Sequence, residues 1–383
     1  MNSNDIFPSK LATGDYFCNR TKERQLLADN IRKSRHTVLV SPRRYGKSSL
    51  VHYVISELNL PCTAIDLFLA HNDRSITKRL ISGIAEALSI IMPVEQKALK
   101  VIKQFFKGFH ASIEWGSFSL GLTHHEGEID AVDQVYNALK GLAQLADKQN
   151  QKIIIFIDEF QDIAVAESAK SIQGAIRHVA QETDSLMFIF SGSNRHFLLE
   201  LFDDRSMPLY MLCDKIHLDR MQSTDYHPHI QKLAMQKWGQ ELSERVLLKA
   251  LTLAELHPFY VNLLLNKLWQ GSYPEDSDHV ETVWQQCMED EQRRIRAELE
   301  KLSRNQQEAL KILAKYPTPE PTGRDFSHKS QLAASSLHQT FKALFEQDVV
   351  FRVTQSDPNI NILKPNQVRV LDPLIAYYLK TYF

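Results

Sequence analysis

One segment near the N-terminus combines an apolar run, a polar loop and an amphipathic helix within residues 36–58. The loop reads Ser41-Pro42-Arg43-Arg44-Tyr45-Gly46-Lys47-Ser48. A strand, a loop of this kind and a helix form a phosphate-binding loop, in which backbone N–H groups at the helix N-terminus converge on phosphate oxygens. Gly46 allows close backbone approach, Lys47 can reach the β- and γ-phosphates, and the Ser48 hydroxyl can ligate Mg²⁺. The segment departs from the GxxxxGK[ST] pattern at Ser41, which replaces the first glycine.

A second motif lies 111 residues after Lys47, where the apolar run Ile153–Ile157 ends in Asp158 and Glu159. The carboxyl ends of parallel strands form the edge at which α/β sheets bind ligands. We therefore expect Asp158 to hold Mg²⁺ through water and Glu159 to orient or deprotonate the attacking water. The alternative, a solvated strand end, is weakened by the phosphate loop upstream.

A third apolar run, Leu186–Phe190, leads into Ser191-Gly192-Ser193-Asn194-Arg195. If its strand neighbours the others, Ser193 or Asn194 would lie beside the γ-phosphate as a sensor of hydrolysis, although a simple loop is an equal alternative. Arg195 and Arg205 are candidates for an arginine finger, against the alternative of ordinary surface arginines.

Short apolar runs alternate with helical patterns in the first half of the chain, which predicts an α/β fold. The predicted strands are His36–Ser41, Cys62–Phe68, Lys152–Ile157 and Leu186–Phe190. Their apolar character is typical of a parallel sheet with helices on both faces. This core is expected over residues 1–218, with a β-hairpin insertion near 111–123 that turns at Gly116-Ser117.

Helical periodicity dominates from about residue 220, which predicts a helical domain over 219–301. Predicted helices cover Leu242–Leu256, Tyr260–Trp269 and Val280–Leu302. Residues 302–383 then follow the order of a winged-helix domain. Its predicted elements are helices at Asn305–Lys315 and Leu332–Phe345, a turn near Phe326, and strands at Val349–Thr354 and Gln367–Leu371.

Composition describes an ordinary globular chain of 383 residues, with 45 Lys and Arg against 46 Asp and Glu. A net charge of −1 excludes a general basic field for nucleic acid or anionic membrane. The four cysteines are far apart, which is typical of free thiols in a reducing compartment. The sequence MNSNDIFPSK has no apolar signal core and no run is long enough to cross a membrane, so we expect a cytoplasmic protein without a membrane partner.

Taken together, four segments resemble the archaeal-type ATPases of the STAND branch of AAA-related P-loop NTPases. They are SPRRYGKSSL, IIIFIDEFQDI, FSGSNRHFLLELF followed by PLY, and His257-Pro258-Phe259-Tyr260. Residues 17–23, FCNRTKE, also resemble the N-terminal box of that family, which lies near the adenine. The resemblance implies an ATP- and ADP-binding switch that uses Mg²⁺, in which residues 219–301 form a helical lid and His257-Pro258 approaches the nucleotide from that lid.

The residues expected to contact the nucleotide are Asn19, Arg20, Pro42, Arg43, Arg44, Tyr45, Gly46, Lys47, Ser48, Ser49, His257 and Pro258. The expected catalytic set is Lys47, Asp158, Glu159, Ser193, Asn194 and Arg205, and the expected Mg²⁺ ligands are Ser48 and Asp158.

The expected function is a Mg²⁺-dependent ATPase whose nucleotide state moves the lid and the winged helix and so controls a protein partner or self-association.

One alternative is a DNA-binding initiator or loader resembling the origin-recognition ATPases. Residues 302–383 carry ten Lys and Arg and seven Asp and Glu. The outward polar candidates on the helix that would enter the groove are His338, Gln339, Thr340 and Lys342, and Arg352, Lys364 and Arg369 are candidates on the wing. This sparse basic charge does not favour DNA. A nucleotide-binding scaffold with negligible turnover is the other alternative.

Overall fold

The computed structural model describes residues 7, 17–92, 109–112, 121–124 and 130–383. These residues form two compact units. The sheet unit contains Thr21–Arg43 and Lys47–Leu218, and the helical unit contains Arg44–Gly46, Asp219–Phe383 and the described residues up to Arg20.

A parallel five-stranded sheet lies at the centre of the sheet unit, in the order β2-β5-β6-β1-β7. Its strands are β1 Thr37–Val40, β2 Cys62–Asp66, β5 Ile153–Asp158, β6 Leu186–Gly192 and β7 Asp214–His217. Four of them confirm the predicted strands. The fifth, β7, was not predicted, because Ile216 is its only buried residue and four residues with one apolar position give no pattern.

Helices cover both faces of this sheet, which confirms the predicted fold class. They are α1 Thr21–Arg32, α2 Lys47–Leu58, α3 Asp73–Ile91, α4 Ala131–Lys148, α5 Ala169–Glu182 and α6 Arg195–Asp203. Alternate residues of β5 show how the faces divide. Ile155 is buried in the core formed with α3, α4 and α5, whereas the neighbouring Phe156 meets His52 of α2 edge to face.

An antiparallel pair interrupts the alternation of strands and helices between α3 and α4. It joins β3 Phe109–Ser112 to β4 Gly121–His124, with Ser112 opposite Gly121. The predicted turn at Gly116-Ser117 lies outside the described residues.

The helical unit begins with five helices and continues into three more helices, two strands and a last helix. The first five are α7 Ser223–Trp238, α8 Glu244–Leu253, α9 Pro258–Gln270, α10 Ser277–Asp290 and α11 Gln292–Glu300. The remainder are α12 Arg304–Lys315, α13 Arg324–Ser330, α14 Ala334–Glu346, β8 Val350–Arg352, β9 Val368–Val370 and α15 Pro373–Tyr382. Strands β8 and β9 pair antiparallel.

The prediction of one helix over Val280–Leu302 was wrong. The helix breaks at Glu291, whose φ of −91° and ψ of 0° end α10 and begin α11. After the break, Ile295 is fully buried, and Arg294 Nη1 lies 3.1 Å from Asp372 Oδ2. The two helices therefore direct separate side chains into the unit, which a sequence pattern with continuous helical spacing does not reveal.

One continuous apolar core runs through the helical unit, from Ile230 in α7 to Leu379 in α15. Residues on both sides of the predicted boundary between 301 and 302 belong to this core. The order of elements from α12 to β9 is the one expected of a winged helix, and that assignment stays a prediction. Among the described helices, none has the length and apolar character needed to cross a membrane.

Candidate phosphate-binding site

The loop between β1 and α2 turns through two residues with positive φ, Arg44 at +66° and Gly46 at +85°. A Cβ at Gly46 would meet no atom within 4 Å, so glycine is favoured there by its conformation and not by space. Ser41 is buried and does not have positive φ, so the loop turns without a glycine at its first position. This explains how the chain departs from the usual pattern and retains the loop.

Lys47 is the first residue of α2, and its ammonium lies across the loop. Nζ donates to the carbonyl oxygens of Ser41 at 3.2 Å and Pro42 at 3.1 Å. The side chain is only 7% exposed. A positive charge is thus fixed beside the helix N-terminus, where the helix dipole also attracts anions.

Ser48 and Asp158 are brought together as the sequence predicts. Ser48 Oγ donates to Asp158 Oδ2 at 2.7 Å, and Ser191 Oγ donates to Asp158 Oδ1. A hydroxyl and a carboxylate are the oxygen ligands that Mg²⁺ uses together with water and phosphate. These two residues therefore fit Mg²⁺. Within the described residues there is no larger cluster of His, Cys, Asp and Glu that could hold a metal ion.

Glu159 follows β5 in the left-handed region, at φ 50° and ψ 42°. Its Oε2 accepts hydrogen bonds from Ser193 N at 2.9 Å, Ser193 Oγ at 2.7 Å and Gln161 Nε2 at 2.7 Å. Burial alone would raise the pKa of Glu159, but these hydrogen bonds from Gln161 and Ser193, with the charge of Lys47, hold it below its ordinary value. The carboxylate is therefore ionised at neutral pH.

Gln161 is a site residue that the sequence analysis did not single out, although it stands two positions after Glu159. Its Nε2 also donates to Asp162 Oδ1 at 3.1 Å. Burial, followed by the nearby charge of Glu159, raises the pKa of Asp162. The position of the Gln161 amide between Glu159 and Asp162 identifies it as a site residue, and this position is visible only in the three-dimensional structure.

The predicted sensor residues follow β6, which lies between β1 and β5 in the sheet. Ser193 is buried and its Oγ also accepts a hydrogen bond from Arg43 Nε at 3.0 Å. Asn194 instead caps α6, since its Oδ1 accepts from Phe197 N at 3.1 Å. Arg205 lies exposed in the turn after α6. Ser193 is thus hydrogen-bonded to Glu159, and Asn194 and Arg205 are not.

Of the other predicted nucleotide contacts, Ser49 is buried in α2, and Asn19, Arg20, His257 and Pro258 lie in the helical unit. Arg20 is buried, and its Nη2 donates to the carbonyl oxygens of Tyr45 at 2.9 Å and Asp219 at 3.1 Å. Asn19 Nδ2 donates to Asp225 Oδ1 at 2.7 Å. These hydrogen bonds fix the segment before α1 to a residue of the loop and to the start of α7.

His257, which precedes Pro258 at the start of α9, is buried between two tyrosines. Its ring meets Tyr45 edge to face at 4.7 Å and Tyr260 at 4.9 Å. Burial, followed by the charges of Arg220 and Arg44, holds the pKa of His257 well below its ordinary value. The imidazole is therefore neutral, and its Nδ1 is buried without a hydrogen-bond partner among the described residues.

A buried ion network that the sequence analysis did not find extends from the same region. Glu255 accepts from Arg220 Nη1 at 2.9 Å and from Arg369 Nη2 at 2.7 Å, and all three side chains are less than 10% exposed. Arg220 Nε also lies 3.5 Å from the hydroxyl of Tyr45, and its Nη2 donates to Leu371 O. Burial alone would raise the pKa of Glu255, but Arg369 and Arg220 lower it to about 2.

Comparison with known proteins supports the fold. A family model described as the KAP family P-loop domain matches residues 45–191. The solved structure of the Walker-type ATPase PABY2304 of Pyrococcus abyssi is 16% identical, with a TM-score of 0.67 over 98% of this chain and 99% of that one. The ORC2 protein of Aeropyrum pernix with ADPNP and ADP is 13% identical, with a TM-score of 0.57 over 99% and 98%. No curated protein matches the sequence. The chain therefore has a P-loop NTPase fold.

Proposed function

We propose that this protein is a Mg²⁺-dependent ATPase whose nucleotide state controls the helical unit and, through it, a protein partner or self-association. The observation that carries the proposal is the hydrogen bond from Ser48 to Asp158, with Glu159 as the next residue. A loop hydroxyl, a strand-end carboxylate and a second carboxylate beside them are the groups that nucleotide hydrolysis requires. The resemblance to archaeal-type ATPases of the STAND branch supports the same conclusion.

In the proposed reaction, the loop amides and Lys47 bind the β- and γ-phosphates. Ser48 and Asp158 would hold Mg²⁺, which neutralises phosphate charge when bound. The Glu159 carboxylate accepts a proton as the oxygen of water forms a bond to the γ-phosphorus, and the bond from that phosphorus to the bridging oxygen breaks to leave ADP. Ser193 Oγ is hydrogen-bonded to both Glu159 and Arg43. This position suits a residue that responds to loss of the γ-phosphate.

The switch part of the proposal rests on contacts within the helical unit. Tyr45 belongs to the loop, and it contacts His257 of the predicted lid and Arg220 of the ion network. Arg220 continues through Glu255 to Arg369 on β9 of the predicted winged helix. A change at the loop on loss of the γ-phosphate would therefore alter contacts that extend to β9.

Several residues considered for DNA contact are engaged elsewhere. Arg369 is buried against Glu255, and Thr340 is buried in α14. Arg352 Nη1 donates to the carbonyl oxygens of Pro319 and Asn366. The segment between β8 and β9 is also fixed, because Asp357 accepts from Ser223 N at 2.6 Å and Ser223 Oγ at 2.8 Å. These contacts support a partner other than DNA.

Phosphate release from ATP tests the proposal, measured with Mg²⁺, with a chelator, and with Mg²⁺ plus duplex DNA. We expect turnover that requires Mg²⁺ and does not change with DNA. Turnover that rises strongly with DNA would favour the initiator or loader function instead. Tight ATP binding without turnover would favour the scaffold.

A further inference from the structure

A buried glutamine connects the two acidic residues that follow β5. Gln161 is 6% exposed, and its Nε2 donates to both Glu159 Oε2 and Asp162 Oδ1. These bonds determine which way the amide faces, because the opposite orientation would set its oxygen against two carboxylates. Gln161 Oε1 is consequently left buried without a hydrogen-bond partner among the described residues. Such an acceptor costs about 1–3 kcal/mol, so the orientation calls for an explanation.

Gly192, the last residue of β6, provides the space for this amide. A Cβ at position 192 would overlap Gln161 Oε1 and lie 3.1 Å from Gln161 Cδ. The backbone of Gly192 does not have positive φ, so the glycine is needed for close approach and not for its conformation. Gly192 on β6 therefore leaves the space in which the Gln161 amide can lie against Glu159.

Among the described residues, the hydrogen bonds to the side chain of Glu159 all end on one of its two carboxylate oxygens. Oε2 accepts from Gln161 and twice from Ser193. Three donors on one oxygen hold the whole carboxylate in one orientation. The second oxygen, Oε1, is then the one left to accept a proton.

We propose that Gln161 is a positioning residue for ATP hydrolysis, which together with Ser193 holds Oε2 of Glu159 so that Oε1 receives the proton of the attacking water. The inference rests on the proposed function and adds to it a residue that acts through Glu159. Gln161 touches neither nucleotide nor water in this role. Its effect is to keep the base in a productive geometry, and small displacements of such groups lower rates strongly.

The test uses the 383-residue chain with Gln161→Met, which retains the length and volume of the side chain and removes both hydrogen bonds. Gly192→Ala provides an independent change, since it displaces the same amide without altering its chemistry. Gln173→Met is the matched control, because Gln173 is also a buried glutamine with an unpartnered Oε1 but lies in α5. Measured quantities are kcat, the Kd for ATP by direct binding, and the melting temperature.

We expect Gln161→Met and Gly192→Ala to lower kcat about 10- to 100-fold and to leave the Kd for ATP within about threefold of wild type. Added to Glu159→Gln, Gln161→Met should cause no further loss of kcat, because the residue that it positions has lost its function. Gln173→Met should leave both kcat and the Kd for ATP unchanged, because it removes a buried acceptor that has no hydrogen-bond partner among the described residues.

Two results would overturn this inference and leave the proposed function intact. One is wild-type kcat in Gln161→Met alongside a large loss in Glu159→Gln. The other is an equal loss of kcat in the Gln161 and Gln173 variants in proportion to their lost stability, which would show a structural role. Absence of hydrolysis by the wild-type protein would refute the proposed function itself, and this inference with it.

Discussion

Tyr45 and His257 meet edge to face with their ring centroids 4.7 Å apart and their planes at 67°. One is a residue of the phosphate loop, and the other stands immediately before α9. Aromatic pairs of this geometry contribute about 0.5–1.5 kcal/mol beyond the area that they bury. The contact is therefore strong enough to bias a conformational equilibrium, and weak enough to be exchanged for another.

The first prediction concerns communication between the loop and α14. We expect backbone hydrogen exchange across α14 to be faster with a non-hydrolysable ATP analogue than with ADP, because the γ-phosphate is the group that distinguishes the two states. His257→Ala should reduce this difference and leave ATP bound. Equal exchange in both nucleotide states would show that the helical unit does not respond to the γ-phosphate.

The second prediction concerns Lys47. We expect Lys47→Ala to abolish measurable ATP binding by calorimetry, because it removes a charge-assisted contact to the phosphates. Lys152→Ala is the matched control, since Lys152 Nζ also donates to a backbone carbonyl, that of Ile31 at 3.0 Å. Wild-type affinity in Lys47→Ala would contradict the assignment of the loop.

A third prediction follows from the backbone at Gly46, where φ is +85°. Gly46→Ala should lower the free energy of unfolding by about 1–2 kcal/mol and weaken ATP binding, because a residue with a Cβ is strained in this conformation. Gly174→Ala makes the same chemical change in α5, where a Cβ also meets no atom within 4 Å. There the substitution should stabilise the protein by about 0.5–1 kcal/mol. Similar effects at both positions would argue against strain in the loop.

The fourth prediction concerns the buried network. Glu255→Gln should lower the free energy of unfolding by about 3–5 kcal/mol, because it leaves two buried arginines without their carboxylate. Glu281→Gln breaks a half-exposed pair with Lys249 in the same unit and should cost at most about 1 kcal/mol. Denaturant titration of both variants makes the comparison, and equal losses would contradict the account of the network.

The same network predicts a direction for acid unfolding. Because folding lowers the pKa of Glu255 from 4.5 to about 2, its stabilising contribution is present above pH 4.5 and is lost as the pH falls towards 2. Glu255→Gln should therefore lose less stability than the wild type over this range.

The sequence predicted best those features that depend on residues close together in the chain. The apolar run of β5 and the spacing of Gly46, Lys47 and Ser48 predicted a strand and a helix start that the structure confirms. The positions of Gln161 and Arg369 could not be predicted in this way. From sequence alone, a polar residue is expected to be exposed. Arg369 is buried because Glu255, which is distant in sequence, is its hydrogen-bond partner in the fold. Residues that act through such long-range contacts are the ones that the sequence pattern misses.

Single-turnover hydrolysis of ATP by the wild type and by Glu159→Gln, in Mg²⁺ and with ATP binding measured in parallel, tests the central claim most directly. An amide cannot accept the proton of water, so we expect Glu159→Gln to bind ATP with nearly wild-type affinity and to hydrolyse it about 100- to 10,000-fold more slowly. Wild-type hydrolysis by Glu159→Gln would contradict the account, and Asp162 would then be the next candidate for the base.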